Sequence, residues 1–150
     1  MKLRAISLSV LIVIGCVLAG AADRKFIVKA RPADTSGLPF SDAVVVGDTL
    51  YIAGHIGLDP KSGQPPAGAE DEARMVMENI KQTVEQAGFA MDDIVSMQIF
   101  CIDLKFYDTF NAVYRTYFHG NYPARAFIGA DKLLRNGRYE VTGIAVKRSQ

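Results

Sequence analysis

Two residues stand out for the chemistry their types permit. Arg125 follows Pro123-Ala124 and opens the apolar run Ala126-Phe127-Ile128-Gly129-Ala130. A guanidinium at the head of an apolar strand needs solvent or an anionic partner, because burying it unpaired is costly. Its planar fork grips a carboxylate through two parallel hydrogen bonds. Glu140 lies in Tyr139-Glu140-Val141-Thr142, within the last apolar segment. If these two segments pair as neighbouring strands, the side chains come close. Two readings then stand side by side: a structural Arg–Glu pair, or a functional site in which Arg125 holds an anion.

Other chemistry is thinly represented. The only histidines are His55 and His119, in unrelated segments, and the cysteines are Cys16 and Cys101. No CxxC or HExxH spacing is present, so no zinc site is expected. No Gly-rich phosphate loop occurs; Gly54-His55-Ile56-Gly57 reads as a turn. No GxSxG elbow supports a serine nucleophile. His55 is read as a polar residue at a strand end, and His119 as a cation closing a helix beside Gly120. Cys101, flanked by Phe100 and Ile102, is read as a buried, inert thiol.

The chain has 150 residues, 49% of them hydrophobic, and a formal charge of +1. Those averages combine two unlike pieces. Residues 1–22 run from Met1-Lys2-Leu3-Arg4 through an apolar stretch to Ala19-Gly20-Ala21-Ala22. Basic start, short apolar run and small-residue end match a secretory signal. The run is short for a membrane span, which needs about 20 apolar residues. Ala19-Gly20-Ala21 fits a cleavage site, and Val13-Ile14-Gly15-Cys16 also resembles a lipobox. The expected location is therefore secreted or periplasmic, with lipid anchoring through Cys16 as the alternative. Without the leader, 15 basic residues face 16 acidic ones. A net −1 and no basic stripe argue against a nucleic-acid partner.

Residues 23–150 are expected to form one domain, since no repeat or low-complexity linker divides them. Strands are predicted over 25–30, 43–46 and 49–53, the last two joined by Gly47-Asp48 as a II′-type hairpin. Residues 58–68 are rich in proline and glycine and read as a loop. Ala73, Val76, Met77, Ile80, Val84 and Ala87 recur at spacings of three and four, predicting a helix over 69–87. Acids Glu70, Asp71 and Glu72 open it and Gly88 closes it. Residues 94–102 are almost continuously apolar, predicting a strand covered on both faces. A second helix is predicted over 105–118 with Asp103 as its N-cap. Strands over 124–130 and 139–147 complete an α+β pattern: a mixed sheet with two helices on one face.

These segments also resemble a known family. Pro39-Phe40-Ser41-Asp42-Ala43-Val44 and the run from Leu50 to Pro60 carry the first part of the likeness. Glu72-Ala73-Arg74, Glu78-Asn79-Ile80 and Ala87-Gly88 continue it, then Asp93-Ile94-Val95 and Asn111-Ala112-Val113-Tyr114. It ends with Tyr122-Pro123-Ala124-Arg125, Tyr139-Glu140-Val141 and Ile144-Ala145-Val146. Over residues 25–148 the chain resembles the RidA/YjgF proteins, the reactive-intermediate (enamine/imine) deaminases.

The resemblance implies a chorismate-mutase-like fold and a barrel-like homotrimer with ligand clefts between subunits. It implies that Arg125 binds the carboxylate of a small imino acid and that Glu140 helps place the attacking water. Gly54 and Asn111 would lie around the cleft, and no metal or cofactor would be needed. The products would be a keto acid and ammonia. Departures fall on the lining: Phe40 replaces a tyrosine, Ala53 a serine, His55 a glutamine, Phe127 a smaller residue and Arg135 a proline. The loss of hydroxyls leaves a second reading: a non-catalytic secreted binder of small carboxylates.

Overall fold

The structure, a computed structural model, describes residues 23–29 and 37–147. The leader expected over 1–22 lies outside the described residues. No helix among the described residues is long and apolar enough to cross a membrane. Six strands form one sheet: β1 (Arg24–Ile27), β2 (Ala43–Val46), β3 (Thr49–Ile56), β4 (Ile94–Cys101), β5 (Ala124–Gly129) and β6 (Tyr139–Val146). Their spatial order is β1-β2-β3-β6-β4-β5. Only β4 and β5 run parallel; every other neighbouring pair is antiparallel.

The two α-helices among the described residues are α1 (Ala69–Gln86) and α2 (Tyr107–Tyr114). The apolar stripe of α1 buries Ala73, Val76, Met77, Ile80 and Val84 against β3, β6 and α2. Each aliphatic side chain buried this way stabilises the fold by about 1.5–3 kcal/mol. Gly88 takes φ +84°, and the Phe89 and Gly88 N–H groups donate to Val84 and Glu85 carbonyls. That is a Schellman end, which requires a residue tolerant of positive φ. The Gly47-Asp48 hairpin forms as expected, with Gly47 at φ +57°.

Three expectations change. The segments holding Arg125 and Glu140 do not pair: β6 inserts between β3 and β4, and β5 lies at the sheet edge. The reason is the β4–α2–β5 connection, a helical crossover of the kind that joins parallel strands. Next, β4 is covered on one face only. Met97, Ile99 and Cys101 are buried towards the helices, while Gln98 and Ile102 are exposed. The opposite face of the sheet is open in the protomer, and Phe26, Val44, Tyr51 and Ile144 form an apolar row across it. Finally, the second helix is α-helical only over Tyr107–Tyr114, flanked by 3-10 turns at Leu104–Phe106 and Arg115–Tyr117. Asp103 caps the first of these turns, accepting from the Lys105 N–H at 3.0 Å.

One buried acid ties the start of β6 to α1. Glu72, fully buried, accepts from the Arg138 and Tyr139 backbone N–H groups and from the Arg138 guanidinium at 2.6 Å. Arg138 also donates to the Pro66 and Ala67 carbonyls. A Cβ on Gly57 would lie 2.5 Å from the Glu72 carbonyl oxygen, so only glycine admits α1 this closely. The lost side-chain freedom of Arg138 is offset by charge-assisted hydrogen bonds that fix the strand carrying Glu140.

Candidate active site

Arg125 pairs across β4 with Met97, which is buried beneath the helices, so its side chain rises on the helical face of the sheet edge. There it meets α2. Tyr107, Asn111 and Tyr114 recur at spacings of four and three, one stripe of that helix. Asn111, itself buried, accepts a hydrogen bond of 2.7 Å from Arg125 Nη1. Tyr107 Oη accepts a longer one of 3.4 Å from Nη2. The guanidinium carbon lies 4.7 Å from the Tyr114 ring centre, 5.7 Å from Tyr107 and 5.8 Å from Phe127. Rings at these distances attract a cation through their quadrupoles without neutralising it. Arg125 makes no ion pair among the described residues. The structural Arg–Glu pair is therefore not formed within the protomer.

A cavity of about 220 Å³ opens beside it, lined by Tyr107, Asn111, Tyr114, Arg115, Tyr122, Pro123 and Arg125. With two N–H bonds committed to Asn111 and Tyr107, most of the guanidinium's five donors stay available. The arrangement suits an anion, above all a planar carboxylate. Tyr114 carries a buried hydroxyl with no hydrogen-bond partner, and burial pushes its pKa up to about 12. Phe127 follows Arg125 by two residues and packs edge-on to Tyr107 and Phe110 at 5.0 and 5.7 Å. Its ring thus flanks the Arg125 guanidinium.

Glu140 sits elsewhere. Its neighbours Tyr139 and Val141 are buried towards the helices, so Glu140 faces the open side of the sheet. It pairs with Phe100 on β4 and Ile56 on β3. Arg125 pairs three residues earlier on β4, one strand further out. Three residues along and two strands across put the Cα atoms roughly 14 Å apart. The Glu140 carboxylate lies over Gly54, where a Cβ would collide with it and come within 3.1 Å of its carboxyl carbon. Gly54 belongs to a bulge: between Ile52 and His55, β3 holds one residue more than β6. So Gly54 and Glu140 form one cluster, and Arg125, Asn111 and Phe127 another. Phe40 is exposed in the segment before β2.

The bulge also explains His55. It turns the ring inward, where Nε2 lies 3.3 Å from the Thr83 hydroxyl, so this is a buried core histidine rather than a strand-end polar residue. His119 is exposed, with Nδ1 4.0 Å from the Asp92 carboxylate. Cys101 is buried and donates to the Asp103 carbonyl at 3.1 Å, and burial pushes its thiol pKa up. Among the described residues no group of three or more His, Cys, Asp or Glu could hold a metal ion. Sequence reasoning missed Tyr107, Tyr114, Arg115 and Tyr122 as lining residues. The spacing of Tyr107, Asn111 and Arg115, four residues each, was the available signal.

A mixed six-stranded sheet, with two helices over one face and an arginine cavity at its edge, defines an α+β fold of known kind. Residues 29–147 match the family model described as Endoribonuclease L-PSP. The 2-iminobutanoate/2-iminopropanoate deaminase of Mus musculus is 39% identical over 110 residues, covering 73% of this chain and 82% of its own length. A RutC family protein of Saccharolobus solfataricus is also 39% identical, covering 73% of this chain and 87% of its own length. Among solved structures, E. coli TdcF with bound serine has a TM-score of 0.74 at 31% identity, covering 83% of this chain and 100% of its own. The E. coli YjgF protein has the same TM-score at 33% identity, covering 83% and 99%. The chain belongs to the RidA/YjgF family.

Proposed function

We propose that this protein hydrolyses small 2-imino acids and their enamine tautomers to 2-keto acids and ammonia, as a 2-iminobutanoate/2-iminopropanoate deaminase-like enzyme. The observation that carries the reading is Arg125: a guanidinium unpaired by any described carboxylate, held by Asn111 at the wall of a small cavity. The names of the relatives supply the substrate class. Arg125 grips the carboxylate and fixes the imine carbon for attack. A water oxygen bonds to that carbon as the C=N π pair moves to nitrogen. Glu140 takes the water proton and returns it to nitrogen. The carbinolamine hydroxyl then passes its proton by the same carboxylate to the amine, the C–N bond breaks as the carbonyl forms, and ammonia leaves. One imino acid and one water give one keto acid and one ammonia, with no change of oxidation state. Phe40 and Phe127 limit water and size the pocket.

Arg125 and Glu140 lie on opposite faces of the sheet, so the reaction needs Glu140 from a second copy. This supports the homotrimer, with open faces packed inward and clefts at the seams. Arg125→Lys keeps the charge but loses the bidentate fork, and Arg125→Ala loses both. Imine hydrolysis, with substrate generated by an amino-acid oxidase, should fall about 100-fold or more in both. Rates equal to the parent in both variants would refute the role. A carboxylate binder without turnover is the second reading. It is favoured by the hydroxyl missing at Phe40. Binding of 2-oxobutanoate without faster imine decay would establish it.

A further inference from the structure

The cavity beside Arg125 holds a second arginine. Arg115 caps the C-terminal end of α2 and opens the 3-10 turn that follows. It lies four residues beyond Asn111, the residue that holds Arg125. Four helical residues advance about 6 Å along the axis. Arg115 is exposed, and its side chain makes no hydrogen bond, ion pair or ring contact among the described residues. None of the seven lining residues is acidic. Arg115 and Arg125 thus both line one small cavity, and no carboxylate of the same protomer lines it with them. Like charges in one site raise its energy unless a ligand neutralises both.

We propose that the site takes dicarboxylic 2-imino acids, Arg125 binding the 2-carboxylate and Arg115 the side-chain carboxylate. This rests on the imine-hydrolase reading and narrows it. The cavity volume equals that of about seven waters in the liquid, room for a compact diacid and little more. The 6 Å advance from Asn111 to Arg115 is comparable with the carboxylate separation in a four- or five-carbon diacid. Tyr107 and Tyr122, the exposed tyrosines of the lining, add hydroxyl donors without adding charge. Arg115 is then a specificity-determining residue: it separates diacids from monoacids and takes no part in the bond changes. The product would be a 2-keto dicarboxylate with ammonia, so the reaction that supplies the substrate must oxidise, or eliminate from, an acidic amino acid.

The test is calorimetric binding of 2-oxoglutarate and 2-oxobutanoate to the full chain. Each places a carbonyl where the imine would be. The parent should bind the diacid at least tenfold tighter. In Arg115→Met the ratio should fall to near one, and Arg115→Lys should restore part of it. Arg125→Met should weaken both ligands. A parent ratio near one, or a ratio unchanged in Arg115→Met, overturns the proposal. An equal loss of both ligands in Arg115→Met overturns it too, since that marks a structural effect. Hydrolysis assays separate the two readings. Hydrolysis of 2-iminobutanoate with no diacid preference leaves the deaminase reading standing alone. Arg115-dependent diacid preference without hydrolysis leaves only the dicarboxylate site.

Discussion

The tyrosine whose ring centre lies 4.7 Å from the Arg125 guanidinium carbon has a measurable signature. Tyr114 is buried and its pKa is pushed up to about 12, chiefly by desolvation. Burial raises that of Tyr139 further. In the unfolded chain both ionise near 10. Between pH 10 and 12 the unfolded state therefore loses protons that the folded state keeps, so stability is full below pH 10 and falls as pH rises. For Tyr114 the loss reaches about 2 kcal/mol at pH 12. Urea unfolding across this range should show the fall, and Tyr114→Phe should reduce it. A flat profile in the parent would contradict the burial of these rings. At this scale the sequence was partly legible: Arg125 was visible as an arginine opening an apolar run. Of its partners, Asn111 came into view only through the family resemblance and Tyr107 not at all, because both are brought to it by a crossover that no local pattern records.

Helix α1 and its surroundings show what periodicity can and cannot say. The stripe from Ala73 to Val84, the acidic first turn and the Gly88 end were all readable, and each is present. Glu72 was read only as a dipole partner in the first turn. It proves to be the fully buried acceptor for Arg138 and for the head of β6. A residue 66 positions away leaves no trace in a local window. Glu72→Ala leaves the Arg138 guanidinium unpaired in a half-buried setting and should cost about 3–5 kcal/mol. Glu72→Gln keeps two acceptor positions for the backbone N–H groups and should cost less. Urea midpoints compare the two; equal midpoints would show that the charge contributes nothing. The strand order was also beyond local reading. Apolar segments announce themselves as strands, but β4, β5 and β6 do not announce which of them are neighbours.

For the whole molecule the decisive feature is the uncovered sheet face. β4 was expected to be covered on both sides because Val95, Phe100 and Ile102 are apolar as well as Met97 and Ile99. In the protomer one side is open, and Tyr51 and Ile144 are exposed on it. That residue choice is economical only if other copies cover the face, as the proposed trimer requires. Sedimentation at micromolar concentration should give a species three times the chain mass. Ile144→Asp, placing a charge in the apolar row, should dissociate it. Dissociation should also abolish imine hydrolysis with Arg125 and Glu140 both intact, because neither can reach the other within one chain. A monomeric parent with full activity would refute this division of labour.

The bulge in β3 works as a phase inverter. Side chains in a strand alternate with period two, so a single added residue reverses every assignment after it. Before the bulge, Leu50 and Ile52 point to the helices; after it, His55 does and Ile56 turns away. Pairing β3 with β6 residue for residue, with the bulge ironed out and nothing deleted, would leave the composition untouched yet restore an unbroken beat. Ile56 would then turn towards the helices and His55 towards the open side, against the acid that overlies Gly54. One residue of length, rather than any side chain, thus decides which half of β3 serves the core and which serves the chemistry.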